Sequence, residues 1–171
     1  MIFSRGQNHV NKTGVKGSYL LVLRLNARQR IAVGGLGRVF FPAGWYVYVG
    51  SARGPGGLGA RLGRHLRTGK PLRWHIDYLR EKADVCGIWA SPGPENREHD
   101  WAGQLRGEAA ASMPAVGFGA SDCRCAAHLF HFRRTPAETG LFDRLAGEPD
   151  RISGPPPAGS LGPAKWGLTN L

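Results

Sequence analysis

The stretch Gly44-Trp-Tyr-Val-Tyr48-Val-Gly50-Ser-Ala-Arg-Gly-Pro-Gly-Gly-Leu58-Gly-Ala-Arg61-Leu-Gly-Arg-His65-Leu66 decides the fold. Trp45 to Val49 is an aromatic and β-branched run of strand type, the glycines after it break regular structure, and Leu58 onward reads as a short helix. A strand therefore hands the chain to a cationic helix across a tight turn. Leu58, Leu62 and Leu66 recur every four residues and point at a core, while Arg61 and His65 lie one turn apart on a neighbouring face. A permanently charged guanidinium beside an imidazole, aimed back at a Tyr-bearing strand, is a set suited to phosphodiester chemistry. Taken alone, the same helix also reads as a basic surface helix with a solvated histidine.

Upstream, Gly17-Ser-Tyr19-Leu-Leu-Val-Leu-Arg-Leu25 is a nearly continuous apolar run, which predicts a strand buried on both faces. Ile31 to Val33 and Arg38 to Phe41 read as a hairpin, with Gly34-Gly35 supplying the positive φ of a tight turn. Downstream, Trp74 to Glu81 has helical spacing, Ala83 to Ser91 reads as a strand, and Glu95 to Ala111 is rich in helix formers and carries Glu98, Asp100, Trp101 and Leu105. Phe118 to Cys125 is a loop and His128 to Phe132 a last strand. Short turns between strands imply an α+β fold, a small antiparallel sheet flanked by helices. Residues 1–16 are polar and aperiodic and read as a flexible basic arm, 17–134 as the single domain, and 135–171, rich in Pro and Gly, as a largely disordered tail.

The 171 residues, 42% of them hydrophobic, suffice for one core of ordinary size. No apolar run approaches the roughly 18 residues of a membrane span, and no apolar block near Met1 reads as a signal peptide, so a cytoplasmic protein without membrane contact is expected. Cys86, Cys123 and Cys125 are an odd set with two members one residue apart, which argues for reduced thiols over a disulfide framework. The net charge of +11 is unevenly spread: up to Ile76 there are thirteen Lys or Arg and no Asp or Glu, whereas the remainder holds ten basic and twelve acidic residues. A field confined to one half of the chain suits closely spaced phosphates, and nucleic acid is the expected partner.

Gly54-Pro-Gly56-Gly-Leu-Gly59 fits the dinucleotide pattern, with Asp77 at the distance of a ribose-binding acid, but the segment between lacks the second parallel strand that such a unit needs. No Gly-Lys-Ser or Gly-Lys-Thr follows the glycines, which excludes a P-loop.

Gly17-Ser18-Tyr19, Tyr48-Val49-Gly50, Leu58-x-x-Arg61, His65 and a downstream Glu on a helix, in that order, resemble the GIY-YIG endonuclease superfamily from about Gly17 to Phe132. Tyr46-Val-Tyr48-Val-Gly50-Ser-Ala52, Arg64-His65-Leu66, Trp74-His75-Ile-Asp77-Tyr78-Leu79 and Phe118-Gly-Ala-Ser-Asp122-Cys123-x-Cys125-x-x-His128-Leu129 look like its small prokaryotic Uri-type branch, often catalogued as a domain of unknown function and sometimes fused to an endonuclease III type glycosylase. Two departures stand out: the long insertion between the Tyr motifs, and His99, where this branch usually has Cys after the Glu.

The resemblance implies a DNA endonuclease, in the setting of DNA repair, with DNA preferred over RNA. It implies Arg61 as the cation on the phosphate and Glu98 as the carboxylate holding one Mg²⁺ (or Mn²⁺). Tyr19 would be the general base and Tyr48 would orient water or phosphate. A free phenol has a pKa of about 10, so Tyr19 needs activation by metal water, by His65 or by desolvation. His75 reads as a phosphate or supporting contact, or equally as a packed structural histidine. Glu98, with Glu95 and Asp100 close by, also reads as part of a solvated acidic face. Cys123-x-Cys125-x-x-His128 invites zinc, which wants a fourth ligand; Cys86 or His131 could complete the set, and buried thiols with Asp122 capping the loop are preferred. The alternative to an enzyme is a nucleic-acid-binding module on the same scaffold.

Overall fold

The computed structural model describes residues 14–153. Six strands form one antiparallel sheet in the order β6-β7-β4-β1-β5-β8: β1 is Gly17–Leu25, β4 Gly44–Ala52, β5 Asp84–Pro92, β6 Ala111–Ser112, β7 Leu129–Phe132 and β8 Asp150–Ser153. A separate ribbon pairs β2 (Gln29–Ala32) with β3 (Arg38–Phe41). The helices are α1 (Gly57–Leu66), α2 (His75–Arg80) and α3 (Glu98–Gly107). This is the α+β arrangement expected. None of the described helices is long and apolar enough to cross a membrane.

The central position of β1 follows from its composition. Its side chains alternate between two buried layers, and both of its edges are paired, with β4 opposing Tyr19 at Gly50 and β5 opposing it at Ala90. On one face Tyr19, Leu21, Leu23 and Leu25 pack with Tyr46 and Tyr48 under Leu58 and Leu62 of α1 and Ile76 and Leu79 of α2. On the other, Leu20, Val22, Val47 and Val49 pack under Trp101 and Leu105 of α3. A strand covered on both faces needs apolar residues at successive positions, which is the run that Tyr19 to Leu25 shows.

The long insertion leaves the Tyr strands adjacent because β2 and β3 leave the main sheet and pair with each other. Their connection is longer than a two-residue turn: residues 34–36 form a 3₁₀ turn, with Gly34 at φ 43° and Gly37, not Gly35, at φ 70°. Helix α3 starts at Glu98 rather than Glu95, because Gly93 to Arg97 is pinned to the sheet: Gly93 N–H donates to Lys16 O, Arg53 Nη1 donates to Pro94 O, and Arg97 N–H donates to Ser18 Oγ.

Part of the tail expected over 135–171 is packed on the domain. Leu141, Phe142 and Leu145 are buried, the Phe142 ring lies 4.6 Å from that of Trp89, and Trp101 Nε1–H donates to Ala146 O at 2.8 Å. Residues 150–153 then pair with β5 and cover its edge. Gly- and Pro-rich composition hid these few apolar anchors, each of which meets an aromatic floor built elsewhere in the chain. Residues 14–16 of the expected arm are likewise tied down, Val15 O accepting Leu58 N–H at 2.7 Å. Residues 1–13 and 154–171, with the rest of the arm and tail, lie outside the described residues.

Candidate active site

Tyr19 and His65 meet at the centre of the α1-side layer, Oη to Nε2 at 2.8 Å, with rings 5.4 Å apart. Tyr48 lies edge-on to the same imidazole, centroids 6.0 Å apart. The Tyr19 ring crosses its partner strand at Gly50, where a Cβ would stand 2.3 Å from Tyr19 Oη; only a glycine leaves room. All of these groups are covered, Tyr19 being 2% exposed, His65 0% and Tyr48 8%. The solvated histidine is therefore excluded.

Burial sets their protonation. It raises the Tyr19 phenol well above its ordinary range, with Tyr48 adding to the rise and Arg61 opposing it. It raises Tyr48 strongly as well, Glu98 adding and Arg61 opposing. The same burial, helped by Lys70, lowers His65 from 6.5 to about 3, so its ring is neutral at physiological pH. His65 Nδ1 is buried with no hydrogen-bond partner among the described residues.

Arg61 stands at the rim on α1, half-buried, its guanidinium 4.2 Å from the centroid of the Trp74 ring, which also carries Arg64 at 4.3 Å. Behind this stack sits a residue that sequence reading weighed only as a nucleotide acid. Asp77 is fully buried and accepts from Arg64 Nη2 at 2.5 Å and from the backbone N–H groups of Arg73 and Trp74 at 2.9 and 3.0 Å; Lys70 Nζ lies 3.5 Å from its other oxygen. Burial alone would push its carboxyl up, but those N–H groups, Lys70 and Arg64 outweigh it and hold it low. The cationic rim is thus fastened to one buried anion. An Asp three residues after Trp74, at the start of a helix, is the cue that points to it.

Glu98 comes from the first turn of α3 and reaches the sheet from the opposite face. Its Oε2 accepts from Ser51 Oγ–H at 2.7 Å, one residue past Gly50, and its Oε1 lies 3.3 Å from His128 Nδ1. That second approach is close but poorly aligned as a hydrogen bond. Burial would raise the carboxyl; His128 and Ser51 more than compensate, keeping it ionised at neutral pH. Glu98 is thus anchored to strand β4 and not part of a solvated acidic face. The structure brings Tyr19, Tyr48 and His65 into contact, sets Arg61 beside them, and leaves Glu98 on the other face of the sheet, touching neither phenol but acting on both through its charge. Ser51, adjacent to the Tyr48-Val49-Gly50 motif, is the member of the site that sequence reading missed.

His75 does not join this group. Its Nδ1 accepts Gly119 N–H at 3.0 Å and its ring packs on Phe118, so it holds the loop that lies against Tyr48. The cysteine loop differs from expectation. Cys123 and Cys125 are half-buried rather than buried, and His99 stands with them and His128, all four donor atoms within 4.8 Å of one another. Neither proposed fourth partner is there: Cys86 lies on β5, and both His131 nitrogens are engaged, with Ser112 Oγ at 3.2 Å and Ala43 O at 3.1 Å.

Residues 18–146 match the model of a family described as a domain of unknown function, DUF123. The chain belongs to the DUF123 family. This is the Uri-type, GIY-YIG-like family that the Tyr, Tyr, Arg, His, Glu order resembled, and the match runs through the buried anchors Leu141, Phe142 and Leu145. No curated protein and no solved structure matches the chain.

Proposed function

We propose that this DUF123 protein is a metal-dependent endonuclease that hydrolyses phosphodiester bonds in DNA, with one divalent ion per active site. The observation that carries the reading is the Tyr19–His65 contact of 2.8 Å inside an acid-free, cationic part of the chain. A phenol buried this deeply does not ionise in advance, but it need not do so when a neutral imidazole stands behind it. Water gives its proton to Tyr19 Oη as the phenolic proton passes to His65 Nε2, so that the charge ends on the imidazole and the hydroxide on phosphorus. The positive charges of Lys70 and Arg61, which together with burial disfavour the imidazolium, are offset when an anionic phosphodiester occupies the rim.

Arg61 binds a non-bridging oxygen there, its plane pre-set by the stack on Trp74. Glu98, ionised and held by Ser51, is a hard oxygen donor that would hold one Mg²⁺ or Mn²⁺. Bound there, such an ion would supply charge stabilisation to the departing alkoxide.

The test is incubation of the purified protein with labelled branched, single-stranded and duplex DNA, with Mg²⁺, Mn²⁺ or EDTA. A metal-dependent product that disappears in both Arg61→Ala and Glu98→Gln is expected. Product that persists in both variants belongs to another nuclease and refutes the reading.

A second reading, a binding module without chemistry, is favoured by one observation: Tyr19 and His65 are covered, leaving Arg61 and its basic neighbours as the accessible groups. It predicts salt-sensitive DNA binding and no product from the wild type under any metal.

A further inference from the structure

We propose that His99, Cys123, Cys125 and His128 bind one structural zinc ion that fastens the 113–128 loop to the first turn of α3. Their donor atoms lie within 4.8 Å of one another, with His99 Nδ1 3.2 Å from Cys125 Sγ and Cys123 Sγ 3.4 Å from His128 Nε2. Tetrahedral zinc, with bonds of about 2.0–2.3 Å, holds its donors roughly 3.3–3.8 Å apart, so small side-chain adjustments complete the shell. Two thiols and two imidazoles are the soft set that selects zinc over the hard ions suited to Glu98. Four protein ligands leave no open position, which makes the site structural rather than catalytic.

The surroundings fit as well. His128 is buried and turns its second ring nitrogen, Nδ1, to within 3.3 Å of Glu98 Oε1. With Nε2 on the metal, that nitrogen must carry the proton, and the carboxylate stands close beside it, where metal-bound histidines usually have an outer-shell partner. The loop needs such a clip. Between β6 and β7 it contains neither helix nor strand; Gly117 N–H to Ala126 O and His128 N–H to Phe118 O close it on itself, Phe118 anchors it in the core, and His128 O accepts Val49 N–H of β4, while its cysteines lie beyond these anchors. Zinc joins it to α3 across more than twenty residues of chain, where a cross-link constrains the unfolded state strongly. The site does not depend on the nuclease reading.

Protein purified without chelator from zinc-supplied cells is weighed by native mass spectrometry and its thiols are alkylated in the folded state. We expect one zinc per chain, retained in Cys86→Ser and His99→Cys and lost in His99→Ala and Cys123→Ser. Cys123 and Cys125 of the wild type should alkylate only after a chelator is added. This thiol test does not require any variant to fold. Metal-free wild type whose Cys123 and Cys125 react equally fast with and without chelator overturns the proposal, as does a folded Cys123→Ser protein that keeps stoichiometric zinc. One zinc in a protein that cleaves no DNA supports the zinc site and removes only the nuclease reading.

Discussion

Acidification provides the sharpest probe of the site, because His65 is neutral for a stated physical reason. Burial and Lys70 lower its pKa from 6.5 to about 3, whereas the unfolded chain restores the ordinary value. Above the unfolded pKa neither state binds the proton and stability is unaffected. As pH falls below about 6.5 the unfolded state takes up a proton that the folded state refuses, so stability is lost progressively until the folded pKa is reached. Well inside that window each pH unit costs about 1.4 kcal/mol, and the fall from pH 6.5 to 4.5 costs about 2 kcal/mol, a large share of a small domain's margin.

Other groups titrate in the same range, so the comparison is made with His65→Gln, which keeps a polar group facing Tyr19 and cannot take the proton. Urea denaturation of both proteins at intervals between pH 7 and 4.5 should give a stability curve for the wild type steeper by about one proton. Every other group is common to both proteins, so the difference between the two curves isolates His65. Parallel curves would refute the claim that His65 is buried as a neutral base, and with it the proton path from Tyr19.

Three further outcomes follow from the same geometry. Arg61→Lys restores the charge but neither the fork nor the stack on Trp74, and Arg61→Ala removes all of them; the alanine variant should lose roughly 100- to 1,000-fold in cleavage rate, with lysine recovering only part, while urea midpoints stay near wild type. Gly50→Ala puts a methyl group against Tyr19 Cζ and Oη, and should destabilise the fold by about 1–3 kcal/mol in denaturation and abolish cleavage, because the tyrosine must leave its place. Asp77→Asn leaves Arg64 and Lys70 without their shared buried anion and should cost about 3–5 kcal/mol in the same measurement; a loss below 1 kcal/mol would show that the rim is not fastened there.

The chain by itself determined the elements whose cause is local. The apolar run of β1, the aromatic strand β4, the four-residue leucine spacing of α1 and the placing of every acid beyond Ile76 are periodicities and biases within a few turns of backbone, readable before any contact is known. The Tyr19, Tyr48, Arg61 and His65 cluster was legible because each member lies on such an element. Tertiary structure alone decided what depends on partners far apart in sequence. It set the β2–β3 ribbon aside so that the Tyr strands pair, and drew Leu141, Phe142 and Leu145 out of a Gly- and Pro-rich segment onto Trp89 and Trp101. It also brought Ser51 to Glu98 and chose His99, neither Cys86 nor His131, to stand with Cys123, Cys125 and His128. Side-chain direction repeats every two or 3.6 residues and is therefore written into neighbouring positions, whereas the meeting of α3 with the cysteine loop follows from how two covered sheet faces pack, which no local spacing specifies.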